Sequence, residues 1–64
     1  MKPRDKAIQE LNANGYFFKR NGANHDIYYN DKTKSMIPLK RHDFDEDDLR
    51  YIVKEIKSGK KRGN

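Results

Sequence analysis

The chain contains no cysteine. That absence removes disulfides, Cys-ligated zinc, iron–sulfur clusters and thiol catalysis together. Small domains outside the cell usually rely on disulfide staples, so an intracellular, cytoplasmic setting is the expectation. Long apolar runs are missing too. Tyr16–Phe18 and Met36–Leu39 are typical of what there is, and neither a membrane-spanning helix nor a signal-peptide core fits them. Serine is limited to Ser35 and Ser58 and histidine to His25 and His42. Ser58 lies near the end of the chain and is a poor nucleophile. The two histidines are of the one side-chain type whose unperturbed titration falls near neutrality. Carboxylates and histidines at metal-ligand spacing are not evident. The acidic run Asp45–Asp48 is better explained as favourable charge at the start of a helix, so neither a metal nor a cofactor is expected.

What is present is charge. Charged residues make up 39% of 64 residues, against 33% hydrophobic. One small domain with a thin core follows, near the lower size limit for independent folding. The net charge is +5, and it is unevenly placed. Residues 1–42 hold nine Lys/Arg and four Asp/Glu, whereas residues 43–64 hold six of each. An anionic partner is implied, without its kind.

The apolar pattern is regular over residues 4–57. Ala7, Ile8 and Leu11 recur at helical spacing, which predicts a first helix over 4–13 that Asn14-Gly15 stops. Tyr16–Arg20 and His25–Tyr29 read as strands joined by a hairpin at Asn21-Gly22, two residues that tolerate positive φ. The turn Asn30–Thr33 leads to a third strand, Lys34–Leu39. Pro38 within it requires an edge, a bulge or a strand end. Asp45 and Asp48 form a variant capping box. Leu49, Ile52, Val53 and Ile56 then make the apolar stripe of a second helix, with Ser58-Gly59 as its stop. The expected domain is residues 1–58, followed by a disordered basic tail over 59–64. The order α-β-β-β-α predicts an α+β domain: a three-stranded antiparallel sheet with two helices on one face, like a double-stranded-RNA-binding domain.

Lys19, Arg20, Lys32, Lys34, Lys40 and Arg41 bracket the strand ends. With Tyr16, Tyr28 and Tyr29 between them they suggest a cationic surface that holds phosphates and stacks bases. Met36 and Phe44 read as core or interface residues. His25 follows the turn Asn21–Asn24, and beside Lys19 and Arg20 on the neighbouring strand it would meet a phosphodiester closely. A half-exposed strand histidine without chemistry is the plain alternative. His42, after Lys40-Arg41, joins the same basic patch or stands in the loop before the second helix.

Taken in order, these features resemble the HicA-type toxins, small RNA-cleaving members of HicA–HicB toxin–antitoxin modules. The resemblance spans about residues 1–57. It runs from the helix ending in Gly15 and the aromatic Tyr16-Phe17, through Asn21-Gly22-Ala23-Asn24-His25, to Pro38 through Arg41-His42. It closes on Leu49-Arg50-Tyr51-Ile52-Val53-Lys54. Two departures stand out: Ala23 replaces a usual serine, and Leu39-Lys40 separate Pro38 from Arg41-His42. The resemblance implies a metal-independent endoribonuclease acting on mRNA, with His25 as its catalytic histidine and a HicB-type antitoxin covering the His25 surface. In such modules the antitoxin usually binds the operator, so no direct DNA binding is expected of this chain.

A mechanism follows for these residues. The RNA 2′-hydroxyl attacks the adjacent phosphorus, and His25 moves a proton as general base or general acid. Lys19, Arg20, Lys40 or Arg41 stabilises the phosphorane charge. The turn, including Gly22 and Asn24, offers backbone N–H groups to a phosphate oxygen, and His42 adds to the phosphate-contacting patch. Two other readings compete. A non-catalytic double-stranded-RNA-binding domain uses the same element order, although Asp45–Asp48 would repel phosphates. A protein-interaction module would attract RNA only weakly, through the tail.

Overall fold

The structure, a computed structural model, describes residues 1–61. Five elements follow in the order α1 (Pro3–Ala13), β1 (Tyr16–Asn21), β2 (His25–Asn30), β3 (Ser35–Lys40) and α2 (Glu46–Lys61). The strands form one antiparallel sheet in the order β1-β2-β3, and both helices cover one of its faces. This is the α+β architecture that the apolar pattern predicts.

Each element has a local cause. Pro3 occupies the first turn of α1, where its missing N–H leaves no hydrogen bond unmade. Gly15 ends that helix at φ +88°, a conformation that suits glycine because it lacks Cβ. Pro38 sits on β3, an edge strand of the sheet. The capping box of α2 is formed in both directions. The Asp45 N–H donates to Asp48 Oδ2 at 3.0 Å, and the Asp48 N–H donates to Asp45 Oδ1 at 3.1 Å. These bonds satisfy donors that the first helical turn leaves open.

The far end of α2 departs from expectation. The helix runs through Ser58-Gly59 to Lys61, so this pair is not its stop, and Lys60 and Lys61 belong to the helix rather than to a tail. One interior glycine costs only about 1 kcal/mol relative to alanine. Residues 62–64 of the expected tail lie outside the described residues.

The core is small and lies between helices and sheet. Ala7 and Leu11 from α1, Tyr16, Tyr28, Ile37 and Leu39 from the sheet, and Ile52 and Ile56 from α2 are buried. Ile8, Phe44 and Leu49 pack against them. Strand alternation divides the sheet into two faces. Phe18, Tyr28 and Ile37 stand in one row on the helix side, and Asn21, Asp26 and Leu39 in another. Asn30, the buried polar residue of the set, joins two turns. Its Nδ2 donates to the Asn14 carbonyl at 2.9 Å, while its Oδ1 accepts from the N–H groups of Lys32 and Thr33 at 2.9 and 3.0 Å. Buried polar side chains persist when their bonds are made in this way. No described helix is long and apolar enough to cross a membrane.

Candidate active site at the turn between the first two strands

His25 opens β2, directly after the loop Gly22-Ala23-Asn24, and its side chain is exposed. The loop closes tightly: the Gly22 N–H donates to the His25 carbonyl at 2.6 Å. The hairpin is where Asn21-Gly22 predicts it, but for a different reason. Neither residue adopts positive φ, the described exceptions being Gly15, Lys34 and Asp43. Glycine is required at 22 by space, since a Cβ there would stand 2.9 Å from the His25 carbonyl oxygen.

Arg41 holds this loop from below. Its Nη2 donates to the carbonyls of Gly22 at 2.8 Å and Ala23 at 2.6 Å. Its Nη1 donates to Asp26 Oδ1 at 2.7 Å and reaches the His25 carbonyl at 3.4 Å. The Arg41 N–H adds a bond to the Asn24 carbonyl at 3.4 Å. A planar fork of five donors suits such multiple bonding, and a lysine could not reproduce it. Asp26 is the matching acceptor on the helix side of the sheet. Arg4 of α1 donates to its Oδ2 at 2.7 Å and Asn21 to its Oδ1 at 2.8 Å. The Asp26 side chain is 14% exposed. Arg41, followed by Asn21 and Arg4, holds its carboxyl below the usual carboxylate range against the opposing effect of burial.

Three of the expected phosphate ligands are therefore elsewhere or otherwise engaged. Arg41 is bound to the loop backbone and Asp26, not free for phosphate. Lys19 and Arg20 do not flank His25. The ladder sets Arg20 opposite Ile27 and leaves Lys19 in an irregularity between Phe18 and Arg20, with its Nζ 4.7 Å above the Tyr29 ring. The cross-strand partner of His25 is Lys40, on β3. Lys40 also reaches Asp48 Oδ2 at 3.3 Å. The Asp45 N–H and then the Lys40 ammonium keep the Asp48 carboxyl below its ordinary range.

The tertiary structure does bring other expected residues together. Asn24, His25, Lys40 and His42 line one open cavity of about 420 Å³ with Asp43. A second cavity, about 160 Å³, shares His25 and Lys40 with it. Phe44, Ile52 and the exposed Tyr51 give it apolar walls. The tyrosines expected to interleave the basic surface divide. Tyr16 and Tyr28 are buried, Tyr29 is half-buried on the open face, and the aromatic side chains that stand out are Phe17, Phe18 and Tyr51. Met36 is 56% exposed and so is no core residue, while Phe44 packs against the core.

The pattern of residues contains a signal for the Asp26 network. Asp26 alternates with His25, so it must face the helices, and a carboxylate there needs cations. Which cations answer it, Arg4 and Arg41, is decided by packing. Among the described residues no group of three His, Asp or Glu side chains stands close enough to hold a metal ion. Comparison with protein-family models, curated proteins and solved structures gives no match.

Proposed function

We propose that the chain is an endoribonuclease toxin of the HicA type, which cleaves mRNA through His25 and is neutralised by a protein antitoxin of the HicB type. The observation that carries this reading is the placement of His25. It is exposed in the lining of a cavity shared with Lys40 and His42, at the start of β2 and directly after a loop that Arg41 and Asp26 hold in shape. An exposed imidazole on a fixed backbone, beside a cation, is what in-line attack by a 2′-hydroxyl requires of a protein.

The step balances with no co-reactant but water. The 2′-oxygen bonds to phosphorus, the bond from phosphorus to the leaving 5′-oxygen breaks, and a 2′,3′-cyclic phosphate forms. His25 takes the 2′-proton while water protonates the leaving 5′-oxygen, or delivers a proton to the 5′-oxygen while water takes the 2′-proton. Lys40, opposite His25, meets the charge that grows on the phosphorane. Asn24 of the loop lines the same cavity. His42 contacts a flanking phosphate. A partner with an acidic surface would suit a chain of net charge +5 and would silence it by covering this cavity. The cytoplasm is the compartment in which such a toxin meets mRNA.

The non-catalytic reading loses ground at α2. Glu46, Asp47 and Asp48 fill its first turn, so the helix start repels a phosphate backbone. The deciding experiment incubates the protein with labelled mixed-sequence RNA in EDTA, beside His25→Ala. Cleavage by the parent alone is expected, and a 2′-deoxy nucleotide at the cut should abolish it. RNA binding without cleavage would favour the non-catalytic domain.

A further inference from the structure

The sheet face turned away from the helices is open, and its composition is unusual for a solvated surface. Three rows cross it. Phe17, Tyr29 and Met36 form the first, Arg20, Ile27 and Pro38 the second, and His25 with Lys40 the third. Phe17 is 58% exposed and Met36 56%. Scattered apolar side chains are ordinary on a protein surface, but a contiguous row marks a contact site.

Charge decides what kind of contact. Lys19 lies over Tyr29 and Arg20 occupies the second row, and among the described residues neither forms an ion pair. Asp26 is the one acidic residue within the three strands. It sits on the opposite face, bound to Arg4 and Arg41. The open face is thus aromatic and cationic, and it leads directly to His25. Aromatic side chains among cations that track a backbone are the means by which single-stranded nucleic acid is held without sequence choice. From Tyr29 to His25 the strand advances four residues, roughly 13 Å at about 3.3 Å each. That length accommodates about two to four nucleotides, given roughly 3.4 Å per stacked nucleotide and more when extended.

We propose that this face is a platform for single-stranded RNA, on which a base flanking the cleavage point stacks on Phe17 while Lys19, over Tyr29, and Arg20 hold the adjoining phosphates. The assignment of RNA as the ligand rests on the ribonuclease reading of His25. A duplex would not use the platform, because its base faces are already stacked on one another.

The test measures binding apart from cleavage. The probe is a fluorescently labelled single strand of about ten 2′-O-methyl nucleotides of mixed sequence, which lacks the attacking hydroxyl. Phe17 is exposed, so its variants keep the fold, which a thermal melt checks. Phe17→Ala should weaken binding roughly 5- to 100-fold, the range expected for losing one base stack. Phe17→Leu should be as weak as Phe17→Ala, and Phe17→Tyr should stay within about twofold of the parent, as stacking demands an aromatic ring. Binding unchanged in Phe17→Ala, or retained in Phe17→Leu, overturns the platform and assigns the face to an apolar protein partner. Equal affinity for the duplex of the same sequence overturns it too. If the parent cleaves RNA while Phe17→Ala binds the strand unchanged, the platform falls and the ribonuclease reading stands. If the strand binds through Phe17 and no RNA is cut, the platform stands and the ribonuclease reading falls.

Discussion

The guanidinium of Arg41 lies against the carboxylate of Asp26 at 2.7 Å and from there grips the backbone of the loop that ends in His25. The pair joins β2 to the residue that follows β3, and it links the helix side of the sheet to the mouth of the candidate active site. A carboxylate and a guanidinium with this geometry form strong, directional hydrogen bonds. Arg41 is thereby a positioning residue; the cation that lines the cavity is Lys40, beside the carboxylate of Asp43.

Replacing Arg41 therefore affects the turnover step more than binding. Arg41→Lys keeps the charge but loses the fork, so kcat should fall about tenfold to a hundredfold, the scale expected when a reacting group is misplaced by about 1 Å. KM should change less than threefold, and the salt dependence of RNA binding should keep its slope, since no phosphate contact is lost. Steady-state kinetics at several salt concentrations reads both. A rise in KM with kcat intact would make Arg41 an RNA ligand instead.

Asp26 ties stability to acid. Its carboxyl is depressed in the folded chain by Arg41 first, then by Asn21 and Arg4. A group with a lowered folded pKa contributes stability above its unfolded pKa, about 3.9, and loses it as pH falls through the folded value. Urea midpoints should be level near neutrality and drop below about pH 4. Asp26→Asn should cost about 1–3 kcal/mol at pH 7 and flatten the acid limb. An acid limb as steep as the parent's would assign the loss to other carboxylates.

Gly22 is required for close approach rather than for its φ. A Cβ at this position meets the His25 carbonyl at 2.9 Å, and the opposing atom is backbone. Gly22→Ala should destabilise by about 1–3 kcal/mol and lower cleavage by shifting His25. Gly22→Ala with the parent's melting temperature and rate would mean that the loop opens at no cost.

His42 shares the cavity with His25 but follows β3 on an exposed segment. As a phosphate contact it should matter for KM, with His42→Ala raising it roughly twofold to tenfold and leaving kcat within about threefold. A loss as deep as that of His25→Ala would make His42 the second proton-transfer group.

Much of this protein was legible residue by residue. The stripes Ala7–Leu11 and Leu49–Ile56, the stop at Gly15, the capping pair Asp45/Asp48 and the edge strand with Pro38 all rest on rules that act within a few residues, and the structure has each of them. The end of α2 was not legible. Ser58-Gly59 carries a local stop signal, but one glycine is too small a penalty to end a helix. The roles of the cations were hidden as well. Lys19, Arg20, Lys40 and Arg41 look alike in sequence, yet one lies over an aromatic ring, one joins an open face, one faces His25 and one is bound into a loop.

The sequence by itself determined the elements, their order and the faces they bury, because side-chain periodicity and caps are short-range physics. The tertiary structure alone decided what stands beside His25. Register sets Lys40 rather than Arg20 opposite it, and the irregularity at Lys19 removes that residue from the ladder. Arg41 reaches Asp26 and the loop carbonyls across 15 to 19 positions of chain. Such contacts form only once the strands have paired, when the carbonyls of a tight loop and a carboxylate facing the helices must find donors that water no longer supplies.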